Sequence, residues 1–254
     1  MFHVKHAEGE EMELNEFKAE LKSALERNLL GELYNDIGAE KLFGLTAIML
    51  KVNESMNLTA ITDERSVILK HYVDSLTVSA YIPEGAAVID VGCGAGFPCM
   101  PLAIFRPDLK VTALDSTAKR INYLSETADA LDISNITPIA ARAEEYAREP
   151  AYRESFDAAV ARAVAAMPIL VELCLPFVKV GGRFIAMKAS QGLRELDDSQ
   201  NAIKLCGGEL LGAHSFDLIS SDSSEQRVII EILKKSPTPL KYPRHYSQIS
   251  KRHL

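Results

Sequence analysis

The sequence predicts an α/β protein: a doubly wound, mainly parallel sheet with an N-terminal helical extension. Three observations predict it. Residues 12–82 place apolar side chains at spacings of three and four and show no strand pattern. From residue 83 onward, short runs rich in β-branched residues alternate with helical stretches. The first of those runs ends in a glycine-rich turn. Strands that alternate with helices imply a parallel sheet covered on both faces.

The elements follow in order. Residues 1–11 are polar and acidic, read as a disordered N-terminus, and do not make a signal peptide. Leu14, Phe17, Leu21 and Leu25 mark an amphipathic helix, and Leu42, Leu45, Ile48, Met49, Val52 and Met56 mark a second. A third runs through Val67, Ile68, His71, Tyr72, Ser75 and Leu76, with Thr62 or Asp63 as its cap. Pro83-Glu84-Gly85 is a turn. Strands are then expected over 86–91, 110–114, 136–140, 156–161, 183–187 and 227–233, with helices over 117–131 and 167–178. The chain divides into a disordered N-terminus (1–11), a helical region (12–82), the sheet domain (83–235) and a basic C-terminal tail (236–254).

Composition limits the function classes. Of 254 residues, 47% are hydrophobic and 25% charged, as in an ordinary globular protein. No apolar run reaches the roughly 18 to 20 residues of a membrane span. Cys93, Cys99, Cys174 and Cys206 show no C-x-x-C pairing, so a cytoplasmic protein with reduced thiols and no metal is expected, and a monomer. His3 and His6 sit on the charged terminus and read as part of a tail rather than a metal site. The net charge of −7 argues against nucleic acid bound over the whole surface. After Glu231, however, no acidic residue follows, while Lys234, Lys235, Lys241, Arg244, Lys251 and Arg252 do. That stretch reads equally as a solvated tail or as a contact for a polyanion.

The strongest local signal is Val88-Ile89-Asp90-Val91-Gly92-Cys93-Gly94-Ala95-Gly96-Phe97. An apolar strand ends in an acid and enters a turn where glycines let the backbone approach a ligand. This is the first βα turn of a Rossmann-like sheet, the place where nucleotide cofactors bind. A nicotinamide fingerprint would need glycine at 97, which is Phe97. The G-x-G-x-G spacing after an acid is instead the form common to S-adenosylmethionine enzymes. Asp115, at the end of the second strand, is placed to accept from the ribose hydroxyls of a nucleoside cofactor. A nicotinamide enzyme and a sheet without cofactor remain as alternatives.

The acceptor is narrowed by what is missing. After the fourth strand stand Arg162-Ala163-Val164-Ala165, with no N/D-P-P-Y/F/W tetrapeptide of the enzymes that methylate exocyclic amines of DNA bases. Pro98-Cys99 lies in the cofactor turn and reads as packing rather than as a nucleophile for cytosine carbon. No general base stands in the expected place. A ring nitrogen with a free lone pair needs none, only alignment with the methyl group and exclusion of water.

Several blocks together resemble one family. Asn57-Leu58-Thr59-Ala60-Ile61 and His71-Tyr72-Val73-Asp74-Ser75-Leu76 precede the glycine turn, and Asp90 to Ile104 continues into Asp115-Ser116 and Lys119-Arg120. Ala141 to Glu145, Ala161-Arg162-Ala163, Gly182 to Lys188 and Tyr242-Pro243-Arg244 complete the order. This arrangement, from about residue 14 to 246, resembles the RsmG (GidB) family of bacterial methyltransferases. The resemblance implies transfer from S-adenosylmethionine to ring nitrogen 7 of a guanine in 16S rRNA, guanine 527, within the small ribosomal subunit or its precursor. Gly92 and Phe97 match cofactor contacts, Ala143 and Glu144 match the pair beside the adenine, and Arg162 matches an arginine on cofactor or substrate. Asp90, Gly94, Gly96 and Asp115 join the cofactor set from the turn and the second strand. Arg162, Lys188 and Arg244 are the candidates for RNA contact, the first two as positioning groups.

Each role has an alternative in the residues themselves. Glu144 and Glu145 read also as a solvated helix face, Arg162 as half of a structural ion pair, and Lys188 as a cap on the sheet edge. His71 and Asp74, one helical turn apart, are expected to tie the helices to the sheet rather than to catalyse. Cys99 stands where the family usually has Gly and is expected to crowd the turn; Cys93 is a milder departure. A methyltransferase for a small molecule or protein, and a binding protein without turnover, are the rival functions.

Overall fold

The computed structural model describes residues 12–254. Residues 1–11, with the expected disorder and the His3/His6 pair, lie outside the described residues. Three helices open the fold: α1 (Leu14–Arg27), α2 (Asp36–Met56) and α3, which begins as Glu64–Val67. Helix α3 continues through a π-helical stretch, Ile68–Val73, into Asp74–Leu76. Caps set two of the starts. The Asn35 side chain accepts from Gly38 N at 2.7 Å, and Asp63 accepts from Ser66 N at 2.8 Å.

A seven-stranded sheet follows, of β1 (Ala87–Val91), β2 (Lys110–Asp115), β3 (Ile136–Ala140), β4 (Phe156–Arg162), β5 (Val178–Ala189), β6 (Gly208–Ile219) and β7 (Ser224–Lys234). Their spatial order is β3-β2-β1-β4-β5-β7-β6. The first five are parallel; β7 runs antiparallel to both β5 and β6. Between them lie α4 (Cys99–Phe105), α5 (Ala118–Ala130), α6 (Ala143–Tyr146), α7 (Met167–Cys174), α8 (Gly192–Asp197) and α9 (Gln200–Leu205), and α10 (Tyr246–Ile249) closes the chain. All six strands read from the sequence are present. The seventh, β6, was not expected, and β5 and β7 run longer than their apolar centres.

The order reverses between β1 and β4, which start chain crossovers in opposite directions. That opens a crevice at the carboxyl ends of these strands, just where the glycine turn leaves β1. Strand pleating sorts side chains onto two faces. Val88, Ala158, Val160 and Ile185 join one core, while Ile89, Ala159, Ala161 and Ala186 join the other. Phe17, Leu42 and Tyr72 of the three N-terminal helices belong to the first of these cores. The helical extension is thus a continuation of the sheet's own packing.

The C-terminal segment departs from a solvated tail. Tyr242 and Ile249 are buried in the second core. Arg153 donates to the carbonyls of Tyr242 (3.0 Å) and Thr238 (2.7 Å), and Arg148 donates to that of Pro243 (2.7 Å). The physical reason is charge. Glu172, fully buried in α7, takes the Arg244 guanidinium on both oxygens, at 2.9 Å and 2.7 Å. The segment is strapped to the domain by its own Arg244 and by Arg148 and Arg153 of the domain.

Candidate active site

The turn after β1 is shaped by backbone demands. Gly92, Gly94 and Gly96 have φ of +79°, +56° and +99°. A Cβ on Gly92 would lie 2.6 Å from Val164 Cγ2, and one on Gly96 would lie 2.7 Å from Leu124 and Met100. A Cβ on Gly94 would meet nothing closer than 3.9 Å, so its open side faces the crevice. Asp115 fastens the turn: its carboxylate accepts from Gly94 N at 3.0 Å and Thr117 N at 2.8 Å, with Arg120 3.6 Å away. A carboxylate has about four acceptor sites, so capacity for ribose hydroxyls remains.

Beneath the turn, Asp90 is fully buried. Its Oδ2 accepts from Cys99 N at 3.0 Å, while its Oδ1 has no partner. Burial pushes this carboxyl up to about 7, against the opposing pull of the Cys99 amide. Cys99, expected to crowd the turn, instead opens α4 with its side chain fully buried and its amide used by Asp90. All four cysteines are buried and free.

The crevice widens into a cleft of 730 Å³, bounded on one side by the glycine turn and on the other by α3 and the β6–β7 hairpin. Arg162, at the end of β4, crosses it. Its Nη1 donates to Asp74 Oδ2 (2.9 Å) and to the Lys70 carbonyl (2.8 Å), and Nη2 lies 3.2 Å from His71 Nδ1. The π-helical stretch supports this arrangement. A π turn interrupts the regular carbonyl ladder of α3, and the Lys70 carbonyl meets the guanidinium there. Asp74 also accepts from Arg227 Nε at 3.2 Å, so one carboxylate bridges two arginines.

His71 stacks on Phe97 of the glycine turn, with ring centroids 4.3 Å apart and an interplanar angle of 10°. The Arg162 guanidinium lies over the same Phe97 ring at 5.3 Å. A guanidinium only donates, so His71 Nδ1 accepts and Nε2–H donates to Thr59 Oγ1 at 2.9 Å. Burial, reinforced by the Arg162 charge, holds the His71 imidazole down at about 3, neutral at working pH. Thr59 is presented by Asn53, which bonds both its amide (2.9 Å) and its carbonyl (3.0 Å). His71 and Asp74 therefore do tie helix to sheet, and they also line the cleft.

Of the residues singled out in the sequence, Gly92, Gly94, Phe97, Arg162 and Lys188 meet in this one cleft. Asp90, Gly96 and Asp115 lie against the turn that forms its wall. Lys188 points inward: its ammonium donates to the Ala165 carbonyl (2.8 Å) and pairs with Glu195 (2.6 Å). It pins the loop after β4, where Ala163 holds φ of +56° and Val164 covers Gly92. Ala143 and Glu144 lie one strand further along, opening α6. Glu144 is buried with Oε1 unpartnered and Glu145 is exposed, which separates two residues the sequence could read as one solvated face. Arg244 does not join the cleft; its guanidinium is spent on Glu172.

These features fit a cationic nucleoside ligand. The open side of Gly94 leaves room for one and Asp115 keeps acceptor capacity beside the turn, while Asp90 and Glu144, outside the cleft lining, each keep one buried oxygen unpartnered. Among the described residues no other acidic side chain leaves a buried oxygen unpartnered.

Residues 39–222 match the family model GidB, rRNA small subunit methyltransferase G. The chain belongs to this family. Proteins called ribosomal RNA small subunit methyltransferase G are similar along nearly their whole length. That of Alkaliphilus metalliredigens is 45% identical over 225 residues, covering 88% of this chain and 93% of its own. That of Acetivibrio thermocellus is 43% identical over 221 residues, covering 87% and 90%. Solved structures share the fold at lower identity. TYW2 of M. jannaschii in complex with AdoMet superposes with a TM-score of 0.50 at 17% identity, covering 63% of this chain and 74% of that one. Trm5b of Pyrococcus abyssi gives 0.50 at 16% identity, covering 71% and 52%. The sheet is the Rossmann-like fold of S-adenosylmethionine-dependent methyltransferases.

For this GidB-family member, sequence reasoning missed part of the cleft. Lys70, Thr59, Phe216, Glu225 and Arg227 line it and were not singled out. The Asn57-Leu58-Thr59 block was a usable signal, because Asn57 ends α2 at φ of +49° and the Thr59 hydroxyl accepts locally from Ile61 N at 3.0 Å. No helix among the described residues is long and apolar enough to cross a membrane.

Proposed function

We propose that this protein transfers the methyl group of S-adenosylmethionine to ring nitrogen 7 of a guanine in 16S rRNA, acting as a monomer on the small ribosomal subunit or its precursor. The observation that carries the reading is the charge of the cleft beside the glycine turn. Five basic side chains line it (Lys70, Arg120, Arg162, Lys188 and Arg227) against three acidic ones (Asp74, Glu195 and Glu225), in a chain of net charge −7. A positive cleft on an acidic body concentrates a polyanion at one place. The names of the relatives supply the class of polyanion, and the resemblance stated above supplies the atom.

S-adenosylmethionine supplies an electrophilic methyl on a sulfonium. Within the chain, Gly94 gives that ligand its approach, Asp115 orients its ribose, and Asp90 braces the turn from beneath through the Cys99 amide. Ala143 and Glu144 flank the adenine in this reading, a role that the resemblance supplies. Arg162 is held by Asp74, the Lys70 carbonyl and His71, so it spans the cleft with little freedom left to lose on binding. Lys188 fixes the loop that overhangs Gly92.

No proton need leave ring nitrogen 7 before transfer, and the cleft matches that requirement. Asp74, Glu195 and Glu225 are each ion-paired, and His71 is neutral with both ring nitrogens engaged. No described side chain lining the cleft stands ready as a general base. The test uses small subunits from cells lacking the protein, purified protein and methyl-labelled S-adenosylmethionine, followed by digestion of the RNA to nucleosides. Label in 7-methylguanosine is expected. Label in another nucleoside would refute the acceptor atom, and label only in peptide or free guanosine would favour a small-molecule or protein substrate.

A further inference from the structure

The cleft has two unlike halves. One is the glycine turn with its cofactor set. The other is built by segments the cofactor reading leaves unused: the stretch after α2, the exposed side of α3, and the β6–β7 hairpin. Named contacts join them: Thr59, in the stretch after α2, meets His71 of α3 at 2.9 Å. Asn28, at the end of α1, bonds both backbone groups of Ile219 at the end of β6, donating to its carbonyl at 2.9 Å and accepting from its amide at 2.8 Å. Lys70 of α3 pairs with Glu225 of β7 at 2.6 Å, and Arg227 of β7 reaches Asp74 of α3. The helical extension and the hairpin thus form one continuous wall.

That wall offers a surface suited to a nucleobase. Phe216 on β6 lies directly opposite Arg227 on β7 in the ladder, on the face that lines the cleft. It is half-buried, packed on the first core along one side. Leu58 and Ile61 are half-buried apolar neighbours in the same cleft. A half-buried aromatic ring in a cleft flanked by cations is an arrangement by which proteins hold an unstacked base. Lys70, about one-third exposed at the rim, is free at its solvent side to meet a phosphate as well as Glu225.

Resting on the proposed RNA reading, we infer that the wall formed by α3 and the β6–β7 hairpin is the acceptor-nucleotide subsite, with Phe216 as the stacking platform for a base and Lys70 as a contact to its phosphate. Arg227, held by Asp74, then couples this subsite to Arg162 and so to the cofactor side of the cleft. Nothing in the cofactor set depends on Phe216, so the two halves are separable by mutation.

The test compares Phe216→Leu and Phe216→Tyr with the unaltered protein, measuring methyl transfer to small-subunit RNA and, separately, the Kd for S-adenosylmethionine. Leucine keeps apolar bulk without a ring, and tyrosine restores the ring. Expected is a fall of about 5- to 150-fold in kcat/KM for Phe216→Leu, carried mainly by KM, with cofactor Kd within about twofold of the original and recovery in Phe216→Tyr. Lys70→Gln is expected to reduce the slope of log KM against log salt by about 0.7, the share of one phosphate on a single strand. Transfer by Phe216→Leu at the original rate would overturn the platform, and an unchanged salt slope in Lys70→Gln would overturn the phosphate contact. Absence of RNA methylation by the unaltered protein would overturn the subsite and the proposed function together, whereas loss confined to the variants separates them.

Discussion

Truncating Arg244 tests whether the C-terminal segment is a strap or an RNA contact. In the structure Glu172 is fully buried and its two oxygens receive four donor contacts from Arg244: the backbone amide at 2.7 Å, Nε at 2.9 Å and 3.2 Å, and Nη2 at 2.7 Å. Arg244→Ala removes three of these and, among the described residues, the one positive charge the carboxylate is paired with, but keeps the amide. Breaking a buried pair from one side costs about 3–5 kcal/mol. The surviving amide and the partial exposure of the Arg244 side chain place the loss near the lower end, about 3 kcal/mol. At about 2–4 °C per kcal/mol for a chain of this size, the midpoint should fall by roughly 6–12 °C. Removing both charges together, as Glu172→Leu with Arg244→Leu, should recover most of it, because an apolar pair no longer strands a charge. Urea unfolding measures the loss, and RNA methylation at several salt concentrations measures the contact. A loss below about 1 kcal/mol with a reduced salt slope would refute the strap and restore Arg244 as an RNA contact.

Other outcomes follow from the cleft. Burial raises the Asp90 carboxyl to about 7, so the folded chain holds this proton more tightly than the unfolded one, which urea unfolding between about pH 4 and 8 reads out. Its contribution to stability is accordingly present at low pH and declines as pH rises from about 4 to about 7. Arg162→Met leaves Asp74 paired with Arg227, so stability should fall by only about 1–3 kcal/mol, while methyl transfer should fall by about 10- to 100-fold. An unfolded variant, or one with normal transfer, would contradict this assignment.

The parallel strands were legible because burial on both faces makes them nearly continuous apolar runs, as in Val88 to Val91 and Ala158 to Ala161. The glycine turn was legible because its spacing reports backbone conformation directly. Strand β6 was not. It lies at the sheet edge, much of its length faces solvent, and glycines at 208 and 212 and a register shift at Leu210/Gly212 break its alternation. Losing β6 hid Phe216, and with it the hairpin wall. The π-helical stretch of α3 was also hidden, since its apolar residues keep the spacing of an ordinary helix. Lys188 and Arg244 were singled out by the resemblance, but their partners were not legible: Glu172 is distant from Arg244 in sequence, and Glu195, in α8 just beyond the end of β5, meets Lys188 only through the turn between them.

The central claim is that the turn at Gly92–Gly96 receives S-adenosylmethionine along the open side of Gly94. Gly94→Ala tests it most directly. An added Cβ meets nothing within 3.9 Å in the chain itself, and φ of +56° costs an alanine about 1–2 kcal/mol, so the variant should fold with a slightly lower midpoint. Calorimetric titration with S-adenosylmethionine should then show at least about a tenfold loss of affinity, about 1.4 kcal/mol or more, in a protein that remains folded. Binding by folded Gly94→Ala as tight as that of the original protein would contradict the account, because the methyl group would then stand where the ligand was placed.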